Sequence, residues 1–283
     1  VAVTGGALPS VRRADPAPGR HPALGRGALA GGLRELGLPP GATVLVHCAL
    51  SRVGPVAGGP AALLDALRDV LGEGGTVVVP AQTAGNSVTS RAFRAATAGL
   101  TGPEVAAVEA AIAPFDPDRS PSEGMGIFAE HVRRQPGALR SRHPQTSFAA
   151  LGPGAARLTA VHDLACHLGE RSPLGALYAA DAVVLLLGVG WSACTAFHLA
   201  EYRLRRPPAE RAYRCYVRGP DGRRVRRDFR APDLDDADFP LIGRALTDAG
   251  GVRPGRVGGA ECRLVGLRAA VDFARGWMDE HRG

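Results

Sequence analysis

The chain has 283 residues, of which 45% are hydrophobic and 22% charged, enough apolar material for a sizeable core in one large domain or two smaller ones. No apolar run approaches the length of a membrane span. The net charge is +7 and every basic side chain is arginine, but the arginines are scattered and aromatic content is only 5%, which leaves little to stack on bases and argues against nucleic acid. An anionic small ligand is compatible with the same charge.

Residues 1–20 are rich in Pro, Gly and Arg and lack the charged-then-apolar layout of a secretory signal. They read as a loose lead-in to a folded domain over 21–283, and a cytoplasmic location follows. Cys48, Cys166, Cys194, Cys215 and Cys262 are odd in number and widely spaced, with no Cys-x-x-Cys. That pattern argues against a disulfide framework and against a thiolate zinc site. His162, Cys166 and His167 lack a second ligand pair at recognisable spacing, so no metal is expected.

Leu24, Leu29, Leu33 and Leu36 fall near helical spacing, and Gly37 ends that element. Residues 43–47 (TVLVH) read as a buried strand. A loop with Gly54, Gly58 and Gly59 follows, then a helix from about Pro60 to Leu71, then a second strand over 76–80 (TVVVP). Strand, glycine loop, helix and strand form a βαβ unit, parallel and right-handed. The loop from Cys48 to Gly59 is a candidate cradle for a phosphorylated ligand at a helix N-terminus. It is equally a plain connector, since it carries neither GK[ST] nor GxGxxG.

Residues 81–122 are irregular, helical in part over 93–111, and long enough to shape a substrate pocket. A helix is predicted over 126–134. His143-Pro144 enforces extended backbone, and 147–151 is a short strand. Helix and loop follow over 155–170. Ser172 as N-cap and Pro173 at the first position start a helix to about Tyr178.

Residues 183–187 (VVLLL) form a buried strand stopped by Gly188 and Gly190. A polar turn over 191–195 leads into a helix carrying His198 and Glu201. Residues three apart share a helix face, and ligand sites of open α/β sheets lie beyond the carboxyl ends of strands. Acid–base chemistry fits that placement; so does a capped, half-buried structural histidine.

Beyond a basic connector at 203–211, the alternating stretches 213–217 and 223–229 flank Gly-Pro-Asp-Gly and read as a β-hairpin. The acidic run Asp233, Asp235, Asp236 and Asp238 follows. A helix over 240–249, a strand region over 256–264 and an amphipathic helix over 267–280 complete the chain. The expected fold is α/β: a single domain with a central, mostly parallel sheet flanked by helices, plus a C-terminal β-hairpin and helix extension.

Several blocks, in order, resemble the aminoglycoside 3-N-acetyltransferase family over about residues 27–275: LPPGATVLVHCALSRVGPVAGGP, LGEGGTVVVP, FDPDRSPSEGMGIFAEHVRRQPGALRSRHPQTSFAALG, SPLGALY and VLLLGVGWSACTAFHLAE. The resemblance implies transfer of acetyl from acetyl-CoA to an aminoglycoside amine, the 3-amino group of 2-deoxystreptamine, with antibiotic resistance as the outcome. It makes His198 the general base and Glu201 its orienting carboxylate, and it finds Thr195 retained; by its chemistry the Thr195 hydroxyl, or a backbone N–H of the same turn, suits the tetrahedral oxyanion. It places acetyl-CoA against His47, Cys48, Ser51, Arg52, Val53 and Gly54, bordered by Arg140, Ser141 and His143. Cys194 stands where the family usually has Asn. The stretch QTAGNSVTSRAF lacks the acids and Trp common there, so acceptor contacts fall to Glu123, Asp233 and Asp235. The implied partners are acetyl-CoA and a cationic aminoglycoside, with no metal, nucleic acid or membrane; a homodimer is a further expectation. Two alternatives stay open: acetylation of another amine, in biosynthesis or self-protection, and non-catalytic CoA binding. Kinetics on an amine panel separate the first, and CoA binding without turnover the second.

Overall fold

The computed structural model describes residues 23–282, and the expected lead-in over 1–20 lies outside the described residues. The strands among these residues are β1 (Thr43–Cys48), β2 (Thr76–Pro80), β3 (Leu139–Arg140), β4 (Phe148–Leu151), β5 (Val183–Leu187), β6 (Glu210–Arg218), β7 (Arg224–Pro232), β8 (Arg253–Val257) and β9 (Ala260–Gly266). Seven of them form one sheet in the order β3-β4-β2-β1-β5-β9-β8, and β6 and β7 form a separate hairpin.

The central strands are apolar through their middles, Val44–Val46, Val77–Val79 and Val183–Leu187, because both faces of the sheet are covered. Side chains alternate across a strand. Val44, Val46, Val77, Val79, Leu185 and Leu187 therefore enter one core, while Leu45, Val78, Val184 and Leu186 enter the other. Helices Arg26–Glu35, Gly59–Leu71 and Gly126–Arg133 supply the first core. Helices Pro173–Ala179, Phe197–Glu201, Phe239–Asp248 and Leu267–His281 supply the second. The result is a three-layer α/β domain.

The parallel part is narrower than the sequence suggests. β1 pairs parallel with β2 and with β5, while the four outer pairings are antiparallel. The strand region expected over 256–264 is two strands. Gly258, with φ of 57°, and Gly259 make a two-residue turn, and so tight a turn can only join antiparallel neighbours.

This topology positions the site. From β1 the chain crosses to β2 on one side, while β5 lies on the other, so the carboxyl ends of β1 and β5 flank a switch in strand order. His47 pairs with Leu186, and Cys48 with Leu187, at that edge. Gly188 has φ of 71°, and a Cβ there would stand 3.0 Å from the Ala49 carbonyl oxygen; only glycine lets the two loops approach so closely.

The long segment between β2 and β3 carries helices Arg91–Thr97 and Gly102–Ala110. It is fastened to the β6–β7 hairpin. Asn86 Nδ2 donates to the Tyr216 carbonyl at 2.6 Å, its Oδ1 accepts the Tyr216 N–H at 2.7 Å, and Phe115 bridges Val217. Among the described residues no helix is long and apolar enough to cross a membrane.

Candidate active site

Helix Phe197–Glu201 begins directly after the turn that follows β5. His198 and Glu201 share one face of it. The imidazole Nδ1 donates to Glu201 Oε2 at 2.5 Å, which leaves Nε2 with a lone pair. His198 is only 13% exposed and Glu201 not at all. A buried carboxylate needs partners, and Glu201 has them: its Oε1 accepts the Asp235 backbone N–H at 2.9 Å and Arg282 Nη1 at 2.6 Å. The ring of Phe239 lies 4.7 Å from that of His198 and limits its movement.

His198 opens on a cavity of about 760 Å³, large enough for a sizeable ligand. His47, Cys48 and Ser51 line it from β1 and the following turn; Thr195 and Ser192 line it from the turn after β5. The excursion after β2 contributes Gln82, Ser87 and Arg91, and the hairpin contributes Arg211 and Tyr213. Pocket formation by residues 81–122 thus agrees with the sequence expectation.

The Thr195 hydroxyl lies 3.3 Å from His47 Nε2. Burial pushes the His47 pKa down to about 4, so this ring is neutral at pH 7 and carries no charge to compete with a base.

The family model for aminoglycoside 3-N-acetyltransferase matches residues 45–279. The chain belongs to that family. Aminoglycoside N(3)-acetyltransferase VII of Streptomyces paromomycinus is 40% identical over 277 residues, covering 91% of this chain and 92% of the relative. The prophage-derived YokD protein of Bacillus subtilis, an aminoglycoside N(3')-acetyltransferase-like protein, is 36% identical over 252 residues, with 87% and 89% covered. The YokD crystal structure superposes with a TM-score of 0.85 at 33% identity, over 92% of this chain and 95% of that one. An AAC-IIIb structure with CoASH gives 0.79 at 33%, over 91% and 97%. AAC-VIa bound to sisomicin gives 0.76 at 31%, over 91% and 98%. Membership makes this chain an acyltransferase, and the residues that the resemblance nominated can be placed against the cavity.

Of the nominated cofactor residues, His47, Cys48 and Ser51 line the cavity, while Arg52, Val53 and Gly54 lie outside its wall. Val53 is 1% exposed and its carbonyl accepts the Gly259 N–H; it fastens the turn to the core. Ser141 and His143 are also displaced from the wall. Ser141 Oγ accepts the Phe148 N–H and faces His162 Nδ1 at 2.9 Å. His143 Nε2 donates to the Leu164 carbonyl, and its Nδ1 accepts the N–H groups of Gln145 and Thr146, each at 3.1 Å. Both side chains are used up in building the loop behind the site.

On the acceptor side the nominated acids are shifted by one position. Asp233 and Asp235 are exposed, whereas Leu234 and Asp236 line the cavity. Side chains of this stretch alternate in exposure, so a slip of one residue exchanges the inward and outward sets. Asp233 pairs with Arg211 at 3.0 Å, and the Asp235 carboxylate accepts the Ala237 N–H. Glu123 accepts the Gly85 N–H at 2.6 Å and buttresses the wall without lining it.

Sequence reasoning did not find Asp236 in place of its neighbours, nor His167, Arg211, Tyr213 and Arg282. His167 lines the cavity at 4% exposure with no hydrogen-bond partner for its Nε2. Its pKa is held down to about 2, first by burial, then by His143, Arg211 and His198. Among the described residues no group of three or more His, Cys, Asp or Glu is placed to hold a metal.

Cys194 sits four residues before the histidine but is fully buried, and burial pushes its thiol pKa up to about 12. A thiol without thiolate character is a poor nucleophile. Cys194→Ser is expected to retain kcat/KM within about threefold, measured as CoA thiol release. Acetyl trapped on this sulfur would contradict that expectation.

Proposed function

We propose that this chain transfers acetyl from acetyl-CoA to the 3-amino group of a 2-deoxystreptamine aminoglycoside, by direct transfer with His198 as general base, and so confers resistance. The observation that carries the reading is the His198–Glu201 pair: a carboxylate with no exposure fixes the tautomer that presents Nε2 to the cavity. CoASH in one relative and sisomicin in another support the two ligands.

The chemistry follows from the residue types. Bound with the amine near Nε2, the acceptor loses a proton to His198 as its nitrogen attacks the thioester carbonyl. Glu201 stabilises the resulting imidazolium. The C–N bond forms and the Thr195 hydroxyl stabilises the developing oxyanion. The C–S bond then breaks, and the imidazolium returns its proton to the leaving thiolate, giving CoASH and a neutral histidine. His47, Cys48 and Ser51 supply the wall for the thioester end of acetyl-CoA, and Asp236 attracts the cationic acceptor.

His198→Ala is expected to lower kcat/KM for CoA release with an aminoglycoside panel by about 10²-fold or more, with acetyl-CoA binding retained. Turnover surviving the substitution would remove His198 as the base.

A second reading, acetylation of a different amine, is favoured by one observation. Arg91 pairs with Asp236 at 3.1 Å and Arg211 with Asp233 at 3.0 Å, so this wall is less acidic than a polycation would prefer. Faster turnover of a singly charged amine than of any aminoglycoside would establish that reading.

A further inference from the structure

Arg282 is joined to the catalytic pair by geometry alone. It follows helix Leu267–His281 and lies outside the 45–279 segment that the family model matches. Its Nη1 donates to Glu201 Oε1 at 2.6 Å, on the carboxylate edge away from His198. Its Nε and Nη2 grip Asp238 at 2.7 and 2.6 Å, and Nη2 also donates to the Asp235 carbonyl at 2.8 Å. One guanidinium therefore ties together the carboxylate behind the base, the acidic segment beside the cavity and the end of the last helix. We infer that Arg282 is a positioning residue that sets the proton affinity of the His198–Glu201 pair, through its charge and its bond to the outer oxygen of Glu201. This rests on His198 being the base.

The direction of the effect follows from charge. Glu201 is fully buried, and Arg282 is the cation bonded to it. With Arg282 present, the carboxylate is balanced from behind and pulls less strongly on a proton at His198. Without it, the pair holds a proton more tightly, whichever of the two carries it. The other charged and titratable groups around the pair are Asp238 on Arg282, Tyr213 within reach of Glu201, the Arg211–Asp233 ion pair beside Tyr213, Asp236 on the cavity wall, and His167, which feels His198. None of these acids donates to or accepts from Glu201. Asp235 touches it only through its backbone N–H.

The test is the pH profile of kcat/KM for CoA thiol release from acetyl-CoA with the best aminoglycoside. Arg282→Gln is expected to move the acid limb up by about one unit, a loss of about tenfold below the limb beyond any loss on the plateau. Arg282→Lys keeps the charge and is expected to return the limb to its wild-type position even if the plateau stays low. Equal losses at every pH in both variants, with the limb unmoved, would overturn the inference and leave the role purely structural. If Arg282→Gln fails to fold, an Arg282→Lys limb displaced as far as that of Asp238→Asn, which frees the guanidinium from its second carboxylate, would also overturn it. His198→Ala separates the two claims. Lost activity there with an unmoved Arg282→Gln limb sinks this inference alone. Full activity there sinks both.

Discussion

Glu201→Gln is expected to lower kcat/KM by about 10²- to 10⁴-fold and to lower the stability of the fold by about 2–3 kcal/mol. The two losses have separate causes. Catalysis suffers because Glu201 Oε2 now accepts from His198 Nδ1 at 2.5 Å. An amide that turns its NH₂ toward the ring makes Nδ1 the acceptor, moves the ring proton to Nε2 and removes the lone pair that faces the cavity. An amide that turns its oxygen toward the ring keeps the tautomer but aims an NH₂ at Arg282 and at the Asp235 N–H, donor against donor. The second orientation sets buried donors against one another, and the first keeps the hydrogen bonds but removes the negative charge that Arg282 faces; either is a source of stability loss. Arg282 keeps Asp238, and for that reason the loss stays below the value for an orphaned buried charge. Urea unfolding measures the second effect and CoA release the first. Activity within about threefold of wild type would show that Glu201 does not control the tautomer of His198.

The arrangement that makes this prediction specific was half visible in the chain. Strands β1, β2 and β5 were legible because each is a short apolar run with a glycine close to one end, too short for an ordinary helix. The i, i+3 spacing put His198 and Glu201 together without any knowledge of tertiary structure. The partners of Glu201 were not legible. Arg282 is 81 positions away, and nothing local distinguishes it from the other arginines of an arginine-only basic set. That Asp236, and not Asp233 or Asp235, lines the cavity was not legible for a related reason. Segment 233–236 takes its register from the Asp235 N–H on Glu201 and from Arg282 on the Asp235 carbonyl, both long-range bonds. Ser141 and His143 belong to a block that the resemblance set beside the cofactor. Their bonds to His162, Leu164 and the backbone of 145–148 turn them inward instead. The Gly258–Gly259 break between β8 and β9 is different: a glycine pair inside an alternating stretch is a local turn signal, and it was readable.

Acidification from about pH 7.5 to about pH 5 is expected to bring the domain close to unfolding, and histidines rather than carboxylates are the cause. His47, His143 and His167 are 6%, 1% and 4% exposed. Burial is the first cause of depression in all three, and their pKa values fall to about 4, 3 and 2. His143 shows the physical reason beyond burial: its Nδ1 already accepts two backbone N–H groups, so a proton there would face two donors. In the unfolded chain these rings titrate near pH 6.5. Below that value the unfolded state binds protons that the folded state refuses, so stability falls as pH falls from about 6.5, to about 4 for His47 and on to about 3 and 2 for His143 and His167. At pH 5 each ring accounts for a loss of about 2 kcal/mol, and three such losses consume a large part of a margin of about 5–15 kcal/mol. The strongly paired carboxylates act in a lower window. Glu130, held down to about 2 by the Arg133 guanidinium and the Ser122 N–H against its own burial, gives up its contribution only as pH drops below the ordinary carboxylate range. Urea midpoints across the series should therefore be level above about pH 7 and fall steeply below about 6.5, well before carboxylates protonate. Midpoints that stay level down to about pH 5 would mean that these rings accept protons inside the fold, and the neutral His47 beside Thr195 would go with them.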